Sequence, residues 1–347
     1  MQKKAILVTG GAGFIGSSFI CYLLKNQGFT GKIINLDLLT YAANLDNLSG
    51  LETHPRYRFL QGDIRNQPFI ENLLLENEIG AIVHFAAETH VDRSIDSAAP
   101  FIDTNVKGTL SLLEAVRKFP HIHFHHISTD EVYGSLGEGG AFNEKSMYRP
   151  NSPYSASKAA SDHLVRAFAH TYKLKTTLSH CSNNYGPGQH PEKFVPLMIL
   201  GCLQVKPLPV YGQGLQIRDW LYVDDHAAAI WAILQKGEVG ETYDIGGGTE
   251  LKNIEMLHLL IELMGEITGQ DIDECRSLIQ FVQDRPGHDF RYAIDSAKIM
   301  RELGWKPQVP IREGLKRTIH WYRQGQGLCI SECVKEDQRR DESINNP

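Results

Sequence analysis

The stretch "VTGGAGFIG", residues 8–16, restricts the possible folds more than any other. It ends the apolar run "KAILVTG", which has the length of one buried strand, and it opens a helix-like stretch through Leu24. Gly10, Gly13 and Gly16 stand at GxxGxxG spacing. Glycine permits a tight turn and lets backbone amides and a helix N-terminus come close to a pyrophosphate. Gly10, Gly13, Phe14, Ile15 and Gly16 are therefore expected to cradle a dinucleotide. The next strand, "KIINLD", ends at Asp37, about twenty residues on, where a carboxylate binds an adenosine ribose diol. A carboxylate there also repels a 2′-phosphate, so NAD is expected over NADP. The alternative for Asp37 is a helix-capping role.

The chain continues in the same rhythm. "RYRFLQGD", "AIVHFAA" and "IHFHHIS" read as further strands, and long helical patterns such as "FIDTNVKGTLSLLEAVRKF" lie between them. Buried strands between helices imply an α/β fold, a doubly wound Rossmann-type parallel sheet covered on both faces. Ligands of such sheets lie beyond the carboxyl ends of the strands. There "GDI" places Asp63 and Ile64 near an adenine amino group. "FAAET" places Phe85, Ala86, Ala87, Glu88 and Thr89, whose small alanines let a dinucleotide approach the backbone. After about residue 180, Gly- and Pro-rich stretches ("NNYGPGQHPEK", "VKPLPVYGQG") interrupt the pattern. Residues 1–180 are expected to bind NAD, with a return crossing near 220–246 through "LYVDDHAAAIWAILQ". Residues 181–330 are expected to form mainly a smaller C-terminal substrate-binding lobe, and 331–347 a disordered tail.

Composition excludes several classes. The net charge of −6 with mixed signs gives no basic stripe for nucleic acid. No apolar run has the length to span a bilayer, and the strand-like start predicts no signal peptide. The six cysteines are scattered without CxxC, so a reducing cytoplasm is expected. "HIHFHH" places His121, His123 and His125 along one side of a strand. No carboxylate completes a ligand set, so these histidines read as a sheet edge or loop start, and no metal is expected.

"YSASK" sets Tyr154 and Lys158 on one face of a helix, and the preceding "NSP" supplies its cap. Lys158 is expected to stabilise the phenolate, which would make Tyr154 a base, and to reach the nicotinamide ribose. "STDEVYG" places Asp130 beside Glu131, either as a solvated turn or as a matched acid and base.

The glycine fingerprint together with YxxxK resembles the extended short-chain dehydrogenase/reductases. Within them "STDEVYG", "DLLTYAANL", "AAETHVDRSI", "SNNYGPGQHPEK", "RDWLYVDDH" and "DRPGHDFRYAID" are similar to the dTDP-glucose 4,6-dehydratases, over about Lys4 to Trp321. The resemblance implies a redox-neutral lyase of nucleotide-sugar metabolism, serving deoxysugars of the rhamnose type. In that reaction Tyr154 takes the 4-hydroxyl proton and Thr129 hydrogen-bonds the hydroxyl. Glu131 is the base at C5, and Asp130 is the acid for the departing C6 hydroxyl. Asp130 must then be protonated at neutral pH, through burial or the nearby Glu131. The resemblance adds Leu38, Leu39, Thr40, Thr104 and Asn184 to the cofactor set.

The substrate carries two phosphate charges, and Arg218 in "IRDW" is the first choice to meet them. By resemblance Thr89 and Asn183 contact the sugar, Lys193 and Phe194 flank the nucleotide, and Pro209, Val210 and Tyr211 line a slot for the base. Asn253 holds the base or the phosphates. Asp284, Arg285, Pro286, Gly287 and His288 close over the pyrophosphate with Tyr292 nearby. Two positions depart from the pattern. Ala43 stands where Gly is common, and Phe290 where Arg is common, which removes a possible phosphate contact. The resemblance also implies a homodimer, in which the "TNVKGTLSLLEAVRKF" helix and the Tyr154 helix pair through outward apolar stripes. The alternatives are a UDP-sugar epimerase or decarboxylase of the same fold, which the Asp-Glu pair opposes, and a non-catalytic NAD-binding sensor or scaffold, which would need none of these side chains.

Overall fold

Strands and helices alternate along the first half of the chain. The computed structural model describes residues 4–26 and 28–325, and the tail expected at 331–347 lies outside them. The order begins β1 (Ala5–Thr9), α1 (Phe14–Lys25), β2 (Ile33–Asp37), β3 (Tyr57–Gln61), α2 (Gln67–Glu76), β4 (Ile79–His84), α3 (Val91–Asp96), α4 (Ala99–Phe101) and α5 (Thr109–Arg117). It continues with β5 (His123–Thr129), α6 (Pro153–Tyr172), β6 (Lys175–Cys181), β7 (Asn183–Tyr185), α7 (Phe194–Gln204), β8 (Leu208–Tyr211), β9 (Ile217–Tyr222), α8 (Val223–Lys236) and β10 (Thr242–Ile245). It closes with β11 (Glu250–Lys252), α9 (Asn253–Thr268), α10 (Ile272–Ser277), β12 (Ile279–Val282), α11 (Ala297–Leu303) and α12 (Ile311–Arg323).

Two units emerge. Unit 1 comprises the residues up to Asn184, Arg218–Glu250 and Arg285–Gln308. Its seven-stranded sheet has the order β10-β6-β5-β4-β1-β2-β3, with every pair parallel. Strand side chains alternate between faces, and both faces are buried. Ile6 and Val8 of β1 pack under α1 and α8 with Phe19, Ile20, Ile230 and Trp231. Leu7 points the other way, to α2, α5 and α6, with Ile70, Leu112, Val116 and Val165. The strand order reverses between β1 and β4, and ligands of doubly wound sheets bind outside the carboxyl ends at such a point.

Two expectations are corrected. β5 is neither an edge nor a loop start: it lies between β6 and β4, and His123, His125 and His126 are buried. Hydroxyls make that possible. Thr177 Oγ1 is 2.8 Å from both His123 Nε2 and His125 Nδ1, and Ser161 Oγ is 3.2 Å from His126 Nε2. Burial pushes His123 and His126 down to about 4, so they stay neutral. Among the described residues, no group of three or more His, Cys, Asp or Glu side chains is placed to hold a metal ion. The pattern "FIDTNVKGTLSLLEAVRKF" is not one regular α-helix either. Ile102–Gly108 is a π-helical segment before α5. Such segments recur at functional sites, and this one turns Asn105 inward. Asn105 Oδ1 accepts from Glu88 N at 2.9 Å, and its Nδ2 donates to Glu88 O at 3.0 Å and Ser157 Oγ at 2.8 Å.

Unit 2 comprises Tyr185–Ile217, Leu251–Asp284 and the chain from Val309 onward. α9 buries Met256, Leu257, Leu260, Ile261, Leu263 and Met264, and α12 buries Leu315, Ile319 and Tyr322. Arg312 and Lys316 of α12 pair with Glu262 and Glu266 of α9. β8 and β12 form a two-stranded parallel sheet. Among the described residues no helix is long and apolar enough to cross a membrane.

Candidate active site

The glycine turn is a cradle in which side chains have no room. Gly10 has φ +73°, and a Cβ there would lie 2.5 Å from the backbone nitrogen of Ala86. A Cβ on Gly16 would collide with the Gly10 carbonyl oxygen. Gly13 is the N-cap of α1 and brings no side chain to it, with Phe14 and Ile15 in the first turn. Asp37 at the end of β2 accepts from Ala12 N at 2.9 Å through Oδ2 and from Leu39 N at 2.8 Å through Oδ1. It thus ties β2 to the glycine turn. Burial pushes its carboxyl up, and these amides oppose the shift. Leu38, Leu39 and Thr40 follow, with Leu38 and Thr40 exposed and Leu39 at φ +59°.

Asp63, after β3, pairs with Arg65 at 2.6 Å, while Ile64 belongs to the core. Phe85 packs on Phe19 with ring centroids 5.6 Å apart, and Ala86 closes against Gly10. Ala87, Glu88 and Thr89 follow, with Glu88 held by Asn105. Thr104 sits in the π-helical segment next to Asn105. The carboxyl ends of β1, β2, β3 and β4 therefore carry most of the expected cofactor residues.

β5 ends at Thr129, which caps a four-residue 3-10 turn, Asp130–Tyr133. Thr129 Oγ1 accepts from Glu131 N at 3.3 Å and donates to Asp130 Oδ1 at 3.3 Å. Asp130 is 2% exposed, and its Oδ2 has no hydrogen-bond partner. Burial, then the charges of Glu131 and Asp219, holds its carboxyl well above the usual range, against Arg218. A buried carboxyl without a cation in direct contact keeps its proton.

Tyr154 and Lys158 lie on α6, whose start is fastened by a capping box between Ser152 and Ser155 with Pro153 in the first turn. Lys158 Nζ donates to the Ile127 carbonyl at 2.7 Å. Burial, then the Glu131 charge, pushes Tyr154 well above the ordinary tyrosine range. Burial pulls Lys158 down, and Asp162, one turn on, opposes that.

Arg218 is 5% exposed. It donates to the Asp289 and Phe290 carbonyls at 3.0 and 3.4 Å and lies 4.4 Å over the Tyr292 ring. Arg285 pairs with Asp92 at 3.0 Å. The loop that carries Pro286, Gly287 and His288 is pinned by Asp289, which accepts from Asn151 and from Tyr292, each at 2.6 Å. Asn183 buries an Oδ1 that has no hydrogen-bond partner. Asn184 Oδ1 accepts from His226 Nδ1 at 2.9 Å. Unit 2 carries Lys193, the N-cap of α7, and Phe194, its first residue. It also carries Pro209, Val210 and Tyr211 on β8 and Asn253 at the start of α9. There Asp284 accepts from Gln216 at 2.7 Å.

Asn105, Asp92, Asp289 and His226 were missed from sequence. Asn105, Asp92 and His226 act through candidate residues far along the chain, and Asp289 meets the distant Asn151 and Arg218 as well as the nearby Tyr292, so no local spacing singles them out. The one available signal was "VDDH", which puts His226 in the first turn of α8.

The family described as GDP-mannose 4,6 dehydratase matches residues 7–318. A dTDP-glucose 4,6-dehydratase of Neisseria gonorrhoeae is 51% identical over 333 residues, covering 92% of this chain and 96% of the relative. The dTDP-glucose 4,6-dehydratase of Streptomyces venezuelae, solved with NAD and TYD bound, superposes with a TM-score of 0.86 at 46% identity, covering 92% of this chain and 97% of the other. The Bacillus anthracis dTDP-glucose 4,6-dehydratase, solved with NAD, gives 0.85 at 47% identity, with the same coverage. With the glycine cradle, the TDE turn and the YxxxK helix on one Rossmann-type sheet, this chain belongs to the GDP-mannose 4,6 dehydratase family and, within it, to the dTDP-glucose 4,6-dehydratases.

Proposed function

We propose that this chain converts dTDP-glucose to dTDP-4-keto-6-deoxyglucose, a step toward deoxysugars of the rhamnose type, as an NAD-dependent hydro-lyase. One observation carries the reading above others on the same fold. Asp130 is a buried carboxyl with an unpartnered oxygen, directly beside Glu131, and burial holds it well above the usual carboxylate range. An epimerase or a silent NAD-binding protein has no use for it.

The residues fit the cofactor: the turn into α1 is so tight that a Cβ at Gly10 or Gly16 would strike backbone, which brings the helix N-terminus close to where a pyrophosphate lies, and Asp37 stands at the end of β2. When bound, NAD would supply positive charge at this buried site and a reversible acceptor for the hydride that leaves C4 and is returned to C6. Tyr154, aided by Thr129, accepts the 4-hydroxyl proton. Its base form is the phenolate, so the phenol must be lowered on binding, and an added positive charge acts in that direction. The C4 ketone acidifies C5. Glu131 takes the C5 proton, the C–H pair becomes the C5=C6 double bond, the C6–O bond breaks, and Asp130 protonates the leaving hydroxide to water. Glu131 then returns a proton to C5. Acid and base act on neighbouring carbons, which suits adjacent side chains on a short turn.

We assign Thr89 and Asn183 to the sugar and Arg218, Arg285 and Pro286–His288 to the pyrophosphate, with Tyr292 nearby. Lys193, Phe194, Pro209–Tyr211, Asn253 and Asp284 are assigned to the nucleotide end. Asn184, Leu38–Thr40, Asp63 and Ile64, Phe85–Thr89 and Thr104 are assigned to NAD along with the glycine turn, and Lys158 to its ribose. Residues 1–180 with the 220–246 return act as the NAD-binding domain, and 181–330 mainly as the substrate lobe. Cys21, Cys181, Cys202 and Cys275 are free thiols, which suits the cytoplasm.

The reaction has no net redox change, and release of the reduced cofactor midway would strand a reactive ketone. Hydride is therefore expected to pass from C4 to C6 within one substrate molecule. The test mixes C4-deuterated dTDP-glucose with unlabelled substrate carrying a separate heavy tag. Deuterium is expected at C6 only in molecules that began with it at C4. Its appearance in the tagged pool, or build-up of free reduced cofactor, would overturn the dehydratase reading.

A homodimer is part of the proposal. Ile102 and Leu110 are exposed, and α6 turns Ala156, His163, Ala167 and Tyr172 outward. Pairing these faces with their symmetry mates makes a four-helix contact. Solution scattering at micromolar concentration is expected to give the dimer mass, and a monomer mass would contradict it.

A further inference from the structure

Behind the TDE turn lies a buried cluster that the mechanism above does not use. His180 of β6 is 1% exposed. Its Nε2 lies 3.1 Å from Asp162 Oδ2 of α6, and its Nδ1 lies 2.9 Å from Asp244 Oδ1 of β10. Both carboxylates are fully buried. Two tyrosines close the cluster. Tyr133 OH lies 3.0 Å from Asp244 Oδ1 and 2.8 Å from His180 Nδ1, and Tyr148 OH lies 3.2 Å from Asp162 Oδ2 and 2.8 Å from His180 Nε2. A neutral imidazole has one N–H for one carboxylate and would accept from the tyrosine hydroxyl at its other nitrogen; donating to both carboxylates takes the imidazolium. Burial disfavours that charge, but the hydrogen bonds and charges of Asp162 and Asp244 lift His180 up to about 9. Burial raises the Asp162 carboxyl, but hydrogen bonds from His126, 3.2 Å from its Oδ1, and from His180 hold it well below the carboxylate range.

The cluster reaches the proposed acid and base by two short paths. Tyr133 is the last residue of the 3-10 turn that carries Asp130 and Glu131. Ser128, which precedes Thr129, donates to Asp162 Oδ2 at 2.9 Å. Asp162 also follows Lys158 by one turn on the same helix face. We propose that His180, as a cation shared by Asp162 and Asp244, is a positioning residue for the elimination, anchoring the turn of Asp130 and Glu131 to α6 and β10. This inference rests on the acid and base roles proposed above. α6 is twenty residues long and holds Tyr154 by its own hydrogen bonds and capping box. The four-residue turn has little support of its own, so loosening the cluster displaces Asp130 and Glu131 more than Tyr154.

The test uses the full chain with NAD and dTDP-glucose. In single turnover, C4 oxidation is read from the absorbance of reduced nicotinamide, and water loss from the mass of the 6-deoxy product. His180→Gln leaves two carboxylates without their cation, whereas His180→Gln with Asp244→Asn restores the charge balance. Tyr133→Phe cuts the tie to the turn and keeps the ring. His180→Gln and Tyr133→Phe are expected to slow water loss by about a hundredfold, the cost of a misplacement near 1 Å, with C4 oxidation changed by less than about threefold. The ketone intermediate then accumulates, and the double variant recovers water loss. Equal slowing of both steps, or no slowing in a folded variant, overturns the proposal. If His180→Gln does not fold, Tyr133→Phe decides by the same ratio. If wild-type protein forms no 6-deoxy product, the dehydratase reading fails instead, and the two failures remain distinct.

Discussion

Tyr154→Phe is expected to slow C4 oxidation by a factor of about a hundred or more, because a positioned general base commonly contributes that much. In free energy that is roughly 3 kcal/mol of barrier. The loss is expected in catalysis and not in folding. The Tyr154 ring packs edge-on against Phe101 at 6.3 Å, and phenylalanine keeps that contact. Thr129 keeps its own partners in Asp130 and the Glu131 amide, so the change leaves no hydroxyl there unpaired. The check is pre-steady-state C4 oxidation next to a melting curve. A variant that oxidises C4 at a near-normal rate means Tyr154 is not the base. A variant that loses activity only in proportion to its folded fraction means the hydroxyl is structural.

Asp130→Asn is expected to separate the two halves of the reaction. The amide has the shape of the carboxyl and carries a hydrogen at the same place, but it is no acid for a departing hydroxide. C4 oxidation and proton removal at C5 by Glu131 are expected to continue, while water loss falls by about two to four orders of magnitude. Stability is expected to hold, since burial and the Glu131 charge already keep Asp130 uncharged, so the substitution removes no ion. Solvent deuterium entering C5 without formation of a 6-deoxy sugar is the supporting result. Undiminished 6-deoxy product would remove Asp130 from the mechanism.

The fold class was legible because its signals are local. A buried five-residue strand, three glycines at fixed spacing and a helix with one apolar face announce β1, the turn and α1 within about twenty residues. "YSASK" needed only the helical repeat to bring Tyr154 and Lys158 to one face, and "TDE" needed only adjacency. The same local view misread β5. A run of alternating histidines looks like a solvated edge, and only the Thr177, Ser161 and Ser179 hydroxyls supplied from β6 and α6 make it a buried strand. It also misread the region before α5, because the π turn depends on what Asn105 meets, and those partners lie on the loop after β4 and on α6.

The amino-acid sequence by itself therefore determined the βα rhythm, the dinucleotide turn and the kinds of side chain available for acid–base work. Tertiary structure alone decided which of them carry protons. Burial, then the charges of Glu131 and Asp219, raises the Asp130 carboxyl, and burial, then the Glu131 charge, raises the Tyr154 phenol. His180 is a cation because Asp162 and Asp244 meet on either side of it. Periodicity acts between near neighbours and can be read from one stretch of chain. Burial and charge are set by whatever the fold brings within a few ångströms, and those partners are spread along the whole sequence.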